Sequence, residues 1–177
     1  MKVFNLGILT RLGILLGAAV AGFALIVGVL LIEQRSLTRI DHLEQIESVS
    51  SIGYGVLESY EALARQGRLS EAEAKRQAVE TLRKIRYSDD QHFFIFDADT
   101  RAVLDPNAPE HEGKSQVEVV DAGGLRVAFE LVKDAHANGD ANIQHRGGLT
   151  GSASEGADTL SYGKFFTPWG WVIGTSV

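Results

Sequence analysis

Four side chains between residues 86 and 164 carry hydrogen-bond donors that could together bind an anionic group. Arg86 supplies a guanidinium, Lys164 an ammonium, and Tyr87 and Tyr162 supply phenol hydroxyls. Charge-assisted hydrogen bonds from such groups are the strong contacts to an anionic oxygen. A structural ion pair for Arg86 and a core position for Tyr162 remain open as alternatives.

Apolar walls must enclose such donors and exclude water. Phe94 and Phe96 alternate in one strand-like run, and Tyr162 and Lys164 alternate in another. Because alternate residues of a strand share a face, each pair could face one cavity. For His92, which precedes the first run, and for Lys164, a surface position is the competing interpretation. The predicted ligand contacts are Arg86, Tyr87, His92, Phe94, Tyr162 and Lys164.

Enzyme and metal signatures are weak. Residues 151–156 superficially resemble a nucleophile elbow, but no serine there has Gly at both −2 and +2. A hydrolase using Ser152 or Ser154 would need a histidine and a carboxylate brought to that loop. The five histidines lack His-x-x-x-His and His-x-His spacing, and cysteine is absent. We predict no enzyme activity, no cofactor and no metal.

Charge is segregated along the 177 residues. Residues 12–32 are 21 consecutive uncharged residues, and a helix of about 20 residues spans a bilayer core. We predict a transmembrane helix there. A cleaved signal peptide is the alternative, since Ala19-Val20-Ala21 has the small-x-small form, but that triplet lies in the middle of the run, which exceeds the roughly 7–15 residues of a signal core.

The remainder of the chain is acidic. Lys2 and Arg11 are the only charges in the first 32 residues, so the net charge of −6 leaves −8 for the rest. An acidic domain argues against nucleic acid as a partner. Basic residues on the two sides of the apolar run nearly match, so charge alone does not orient it. We expect a single pass through the inner (cell) membrane, with the larger part periplasmic or extracellular.

Helical periodicity follows the apolar run. Apolar residues at three- and four-residue steps predict an amphipathic helix over residues 40–64, with a potential bend at Gly53 and Gly55. Ser70 and Glu73 have capping-box spacing and predict the start of a second helix. The apolar stripe near the membrane predicts a homodimer, unless it packs on its own domain; it comprises Ile40, Leu43, Ile46 and Val49.

The period then changes to that of strands. Together with a helix over residues 124–137, the order of elements indicates an α+β domain with helices on one side of an antiparallel sheet. Trp169 and Trp171 are expected as core anchors, and residues 147–158 as a mobile loop. The predicted strands are residues 93–96, 101–104, 141–146, 159–166 and 171–175.

Three segments are therefore expected. Residues 1–32 form the tail and transmembrane helix, residues 33–84 the juxtamembrane and amphipathic helices, and residues 85–177 the sheet domain.

A series of motifs from residue 82 onward carries a family resemblance, and its last block is the most specific. The motifs are Leu82-Arg83-Lys84-Ile85-Arg86-Tyr87, Phe93-Phe94-Ile95-Phe96-Asp97, Pro106, Gly113-Lys114, Asp121-Ala122-Gly123-Gly124, Leu160-Ser161-Tyr162, Lys164 and Pro168-Trp169-Gly170-Trp171-Val172-Ile173-Gly174-Thr175. In this order and spacing the chain resembles the single-Cache (type 2) extracellular sensor domain of bacterial methyl-accepting chemotaxis receptors and sensor kinases.

The resemblance implies a PAS-like (Cache) fold, in which a long N-terminal helix precedes a curved antiparallel sheet that holds a small ligand. It implies small organic anions as partners, such as acetate, propionate, lactate or pyruvate. It also implies a place between two transmembrane helices, with an output module beyond.

Several positions depart from the family pattern. Asp105 stands where a histidine commonly precedes the proline, and a carboxylate there would repel an anion. His92 stands where an aromatic residue is usual, and Thr159 where a lysine is usual. Gln144-His145-Arg146-Gly147-Gly148 replaces a Trp-Pro-x-Pro-Gly segment.

The sequence thus predicts a membrane-anchored, extracytoplasmic sensor domain for chemotaxis or signal transduction that binds a short-chain carboxylate. The alternative is a truncated receptor that acts as a dimerising membrane module without a ligand.

Overall fold

The computed structural model describes residues 8–88, 91–149 and 158–177, and for residues 8–16, 18 and 28–42 it describes the backbone alone. Two compact units, Met1–Asp41 and His42–Val177, make up the chain. The helices are α1 (Ile8–Arg65), α2 (Glu71–Lys84) and α3 (Val127–Asn138). The strands are β1 (Phe94–Asp97), β2 (Ala102–Leu104), β3 (Asp140–Arg146), β4 (Asp158–Phe166) and β5 (Trp171–Ser176).

In the first unit, the side chains that are described belong to α1 and are exposed. Phe23 and Leu25 are 68% and 70% exposed. Among the described residues, no helix is both long enough and apolar enough to cross a membrane. The predicted transmembrane segment, residues 12–32, includes side chains outside the described residues, so it stays a prediction.

The second unit contains one antiparallel sheet of five strands in the spatial order β2-β1-β5-β4-β3. The turn between β1 and β2 is closed by the Asp97 carboxylate, which accepts from the backbone N–H groups of Asp99 and Arg101 at 2.9 and 2.8 Å. Every strand end lies within one residue of its predicted position. The α+β class and the antiparallel sheet are confirmed.

Helices cover both faces of the sheet. Trp171 and Ile173 of β5 pack with side chains of α1 and α2, whereas Val172 packs with α3. Because successive side chains of a strand point to opposite faces, a strand whose first five residues are all buried must be covered on both sides. The prediction of helices on one side was therefore wrong, and the uninterrupted burial along β5 is the reason.

Local signals set the helix ends. The Ser70 hydroxyl accepts from the Glu73 backbone N–H at 3.2 Å, which confirms the predicted cap of α2. The α1 helix continues without interruption through Gly53. A Cβ at this glycine would lie 2.8 Å from the Phe93 ring and 2.9 Å from Ile173 Cδ1, so Gly53 permits the sheet to approach closely.

The start of α3 is three residues later than predicted, at Val127. Asp121 holds the preceding segment in a loop, because its Oδ1 accepts from the backbone N–H groups of Gly123 at 2.8 Å and Leu125 at 2.7 Å. Gly124 adopts a φ of 82°, which is outside the helical region. The apolar periodicity therefore extended beyond the helix itself.

The two tryptophans are core anchors, as predicted. Trp169 and Trp171 are 9% and 7% exposed, and their rings meet edge to face with centroids 5.0 Å apart. Most of the predicted mobile loop, residues 150–157, lies outside the described residues, as do Ser152 and Ser154. The expected boundaries after residues 32 and 84 stay a prediction.

Candidate functional site

A cavity of about 490 Å³ lies where one end of every strand meets the α3-facing side of the sheet. Because neighbouring strands are antiparallel, the last residues of β2, β3 and β5 lie next to the first residues of β1 and β4 at this end of the sheet. The wall combines aromatic rings with hydrogen-bonding groups, as small-molecule sites do. It is formed by Gln91, His92, Phe94, Phe96, Asp105, Asn107, His145, Gly147, Gly148, Leu149, Thr159, Ser176 and Val177.

A row of three hydrogen-bonded side chains crosses the sheet beside this cavity. His145 Nε2 lies 2.8 Å from Ser161 Oγ, and Ser161 Oγ lies 2.7 Å from Ser176 Oγ. Ser161 is paired with Ser176 across β4 and β5, while His145 is paired with Thr159 and reaches Ser161 diagonally. Both ends of the row, His145 and Ser176, line the cavity.

The His145 ring is buried, with 4% of the residue exposed. Its Nδ1 has no hydrogen-bond partner within the described part of the chain. Burial lowers the pKa of His145, while the Asp121 carboxylate and the Gly147 backbone oppose that shift. The ring is therefore held toward its neutral form.

Asp121 ties the loop before α3 to the end of β3. Its Oδ2 accepts from the Arg146 backbone N–H at 2.9 Å, in addition to the two Oδ1 bonds within its own loop. The pKa of Asp121 is lowered because backbone N–H groups, that of Arg146 first, stabilise the carboxylate. This carboxylate fixes the strand position next to His145.

Asp105 brings a carboxylate to the cavity wall and is 5% exposed. Its Oδ1 accepts from the backbone N–H groups of Asn107 and Ala108 at 3.2 and 3.1 Å, which forms a turn after β2. Its own N–H donates to Glu112 Oε1 at 3.0 Å, and Glu112 is bound by both terminal nitrogens of Arg83 at 2.8 and 2.7 Å. Arg83 thus stabilises the segment that carries Asp105.

Two of the six predicted contacts line the cavity. Phe94 is 3% exposed and packs against Phe96 with ring centroids 5.5 Å apart, so the pair forms an apolar wall. His92 is half-buried next to Gln91, and its carbonyl accepts from Thr175 Oγ1 at 2.9 Å. These positions are compatible with the predicted role.

Arg86 and Tyr87 do not line the cavity. Arg86 is exposed, and its Nη1 donates to the carbonyls of Arg83 and Ile85 at 2.8 and 3.1 Å at the end of α2. The Tyr87 ring packs on Phe93, and its hydroxyl hydrogen-bonds Thr175 Oγ1. Burial raises the pKa of Tyr87 to about 12, so its phenol stays protonated.

Tyr162 and Lys164 share a face, as predicted, but the structure places them on the side of the sheet opposite the cavity. The Tyr162 hydroxyl donates to Asp140 Oδ2 at 3.1 Å, and burial followed by the Asp140 charge raises its pKa. Lys164 Nζ lies 4.7 Å from the centroid of the Tyr54 ring of α1. The six predicted residues are therefore not brought to one cavity.

His145 was missed as a candidate by the sequence reasoning. A usable signal was present, because Ala141, Ile143 and His145 alternate in β3 and the first two are apolar. Period-two alternation places a histidine in that series on the same covered face. Among the described residues, no three His, Asp or Glu side chains converge as a metal site requires.

Comparison with known proteins agrees with this geometry. Residues 40–177 match the family model described as Single Cache domain 2. Over 134 residues the chain is 32% identical to methyl-accepting chemotaxis protein McpP of Pseudomonas putida, covering 76% of this chain and 24% of that protein. Over 104 residues it is 30% identical to sensor histidine kinase MctS of Rhizobium johnstonii, covering 59% and 22% respectively. The chain thus spans about a quarter of the length of these relatives.

A solved structure reported as the basis for carboxylic acid recognition by a Cache chemosensory domain superposes with a TM-score of 0.71 at 30% identity. The match covers 76% of this chain and 90% of that one. The family model matches residues 40–177. The fold agrees with this match, because the sheet has helices on both faces and a cavity at the end where its strands start or stop. The chain belongs to the single Cache domain 2 family of sensor domains.

Proposed function

We propose that this chain is the extracytoplasmic ligand-binding part of a chemotaxis or signal-transduction receptor and that it binds a short-chain carboxylate. The observation that carries the proposal is the cavity of about 490 Å³, which is large enough for acetate, propionate, lactate or pyruvate. Carboxylic acid recognition by the similar Cache chemosensory domain supports the ligand class.

Local donors must offset a negative field for this ligand to bind. The chain has a net charge of −6, and Asp105 contributes a carboxylate to the wall itself. The wall also carries neutral donors in Gln91, Asn107 and Ser176, and the imidazoles of His92 and His145. Phe94 and Phe96 would cover the alkyl part of the ligand.

Membrane attachment is part of the proposal. Residues 12–32 carry no charge, and Phe23 and Leu25 within them expose about two thirds of their surface, which an apolar surrounding would cover. In this arrangement the second unit lies in the periplasm or outside the cell, and α1 passes a ligand-dependent change toward an output module.

Calorimetry of the purified chain with acetate, propionate, lactate and pyruvate tests the proposal. We expect heat of binding with at least one acid. Asn107→Trp should abolish it, because residue 107 is at the rim of the cavity and an indole would fill the space. Asn142→Trp is the matched control, since Asn142 is exposed on β3 and is not part of the cavity wall.

A folded chain that binds none of the four acids would contradict the carboxylate proposal. That result would favour the second candidate function, a dimerising membrane module. The observation that supports this candidate is the side chain of Ile52 in α1, which is 64% exposed and could pack against a second copy.

A further inference from the structure

We propose that the ligand of this cavity is a small amino acid and that the Asp105 carboxylate binds its ammonium group. This inference rests on the proposed function and narrows it, because an amino acid is a short-chain carboxylate that also carries a positive charge. The observation behind it is the sign of the charge in the cavity wall. Among the described residues that line the cavity, Asp105 is the one acidic side chain, and there is no lysine or arginine.

The Asp105 carboxylate is a well-held part of the wall. The residue is 5% exposed, and its Oδ1 accepts from the backbone N–H groups of Asn107 and Ala108 at 3.2 and 3.1 Å. Such donors stabilise a negative carboxylate and hold it in one place. The negative charge is therefore presented to the cavity from a hydrogen-bonded turn.

The Arg83 guanidinium belongs to the same hydrogen-bond network but is paired with another carboxylate. Both terminal nitrogens of Arg83 donate to Glu112 at 2.8 and 2.7 Å, and Glu112 accepts from the Asp105 backbone N–H at 3.0 Å. Arg83 and Glu112 thus form a neutral pair, and Arg83 does not line the cavity. The field of the wall disfavours a simple anion and favours a ligand that brings a positive charge to Asp105.

The other polar groups of the wall can bind the carboxylate of an amino acid. Gln91 offers an amide, and the Ser176 hydroxyl can donate. Ser176 ends β5 and Asp105 follows β2, with β1 between them, so two strand spacings, about 10 Å, separate them across the sheet. An amino acid that donates from its ammonium and accepts at its carboxylate bridges about 8–9 Å between its two partners. A ligand of this length can contact both sides of the wall.

Three small acids separate this proposal from simple carboxylate binding. Propionate, lactate and alanine share a three-carbon skeleton and differ only in the hydrogen, hydroxyl or ammonium group on the second carbon. Propionate offers Asp105 no donor, lactate offers a neutral donor, and alanine offers a charged one. Because charge-assisted hydrogen bonds are the stronger ones, the affinity should rise in that order.

Titration calorimetry of the purified chain at pH 7 with both enantiomers of alanine, lactate, propionate and ethylamine measures this order. We expect one enantiomer of alanine to bind at least about tenfold more tightly than propionate, with lactate between them. Ethylamine, which lacks the carboxylate, should bind more weakly than alanine. Asp105→Asn should weaken alanine binding at least about tenfold and remove its advantage over propionate. Asp99→Asn, at an exposed hairpin position, should retain both.

Binding of propionate or lactate at least as tight as that of alanine would overturn this inference and leave the proposed function standing. An unchanged affinity for alanine in Asp105→Asn would also overturn it, since another group would then hold the ammonium. If neither alanine nor any of the four acids binds, whether or not ethylamine does, both proposals fail. Should Asp105→Asn fail to fold, the order of affinities on the unaltered chain decides.

Discussion

Asp105 carries the charge that most opposes an anionic ligand, and its contacts show how to test this without disturbing the fold. Its Oδ1 closes the turn after β2 through the backbone N–H groups of Asn107 and Ala108. An asparagine can keep that acceptor while losing the negative charge.

Asp105→Asn should therefore strengthen propionate binding by about fivefold to tenfold, the scale of one like charge a few ångströms away in a polar setting. Asp105→His, which restores the residue typical of the family, should strengthen it further if the turn tolerates the ring. Titration calorimetry at pH 7 measures both, and the melting temperature reports the turn. Asp99→Asn, at an exposed hairpin position, is the control; equal effects from Asp99 and Asp105 would show that only overall charge matters.

Gly174 of β5 lies in close contact with a neighbouring strand and with the Phe94 ring of the cavity wall. It is paired with both Phe94 and Gly163. A Cβ at this position would collide with the Tyr162 carbonyl oxygen and lie 2.5 Å from Phe94 Cζ. Neither a backbone oxygen nor a packed ring can move away at little cost.

Gly174→Ala should accordingly lower the free energy of unfolding by about 3 kcal/mol, the upper part of the range for overpacked cores. Gly55→Ala is the matched control. A Cβ there meets nothing within 4 Å, and alanine should stabilise α1 by about 0.5–1 kcal/mol. Chemical denaturation measures both, and equal stability of the two variants would contradict the packing assigned to Gly174.

At the scale of elements, β3 and the loop before α3 are joined by one carboxylate. Asp121 accepts three backbone N–H groups, from Gly123, Leu125 and Arg146. Its lowered pKa means that the folded state favours the ionised form. The stability it contributes is therefore present above the ordinary pKa of an aspartate and is lost as the pH falls through the lower, folded-state pKa.

Asp121→Ala should lower the free energy of unfolding by about 0.5–1.5 kcal/mol at pH 7, the net contribution of hydrogen bonds whose exposed backbone donors can bind water instead. The difference from the unaltered chain should shrink at pH values below about 4, where the carboxylate becomes protonated. Asp134→Ala, on the solvent side of α3, should change stability by less than about 0.5 kcal/mol. A difference for Asp121 that does not vary with pH would mean that the contribution is one of packing.

At the scale of the whole molecule, the predicted homodimer would use an exposed surface of α1. The predicted apolar stripe is partly used within the second unit, because Ile46 is fully buried and Val49 packs against the core. Leu43 is half-buried, and the side chain of Ile40 lies outside the described residues. Ile52, at 64% exposed, and the neighbouring exposed Ser48 mark a surface of α1 that is open to a partner.

If the receptor is a homodimer through this surface, cysteines at Ser48 or Ile52 should form symmetric disulfides in native membranes under mild oxidation. Ser50→Cys should not, because Ser50 is fully buried. Non-reducing electrophoresis reads the result. A lack of cross-linking at Ser48, Ile52, Leu43 and Glu47 alike would contradict a dimer through this helix.

The order and ends of the elements were largely predictable from the sequence because their signals are local. Short runs of apolar and aromatic residues between turn signals predicted all five strands, and the spacing of Ser70 and Glu73 predicted the start of α2. A hydrogen bond between residues three apart needs no distant partner. The late start of α3 is an informative exception, since the Asp121 loop also depends on Arg146, 25 residues away.

The tertiary structure decided which face of the sheet meets which helix, and therefore which side chains share the cavity. Alternation correctly predicted that Tyr162 and Lys164 share a face, but it carries no information about which layer covers that face. The same limit hid His145, whose partners Ser161 and Ser176 come from other strands. The ion pair between Arg83 and Glu112 joins α2 to a loop 29 residues away, so it too depends on how the helix docks. A site assembled from five strand ends exists only after the sheet has formed.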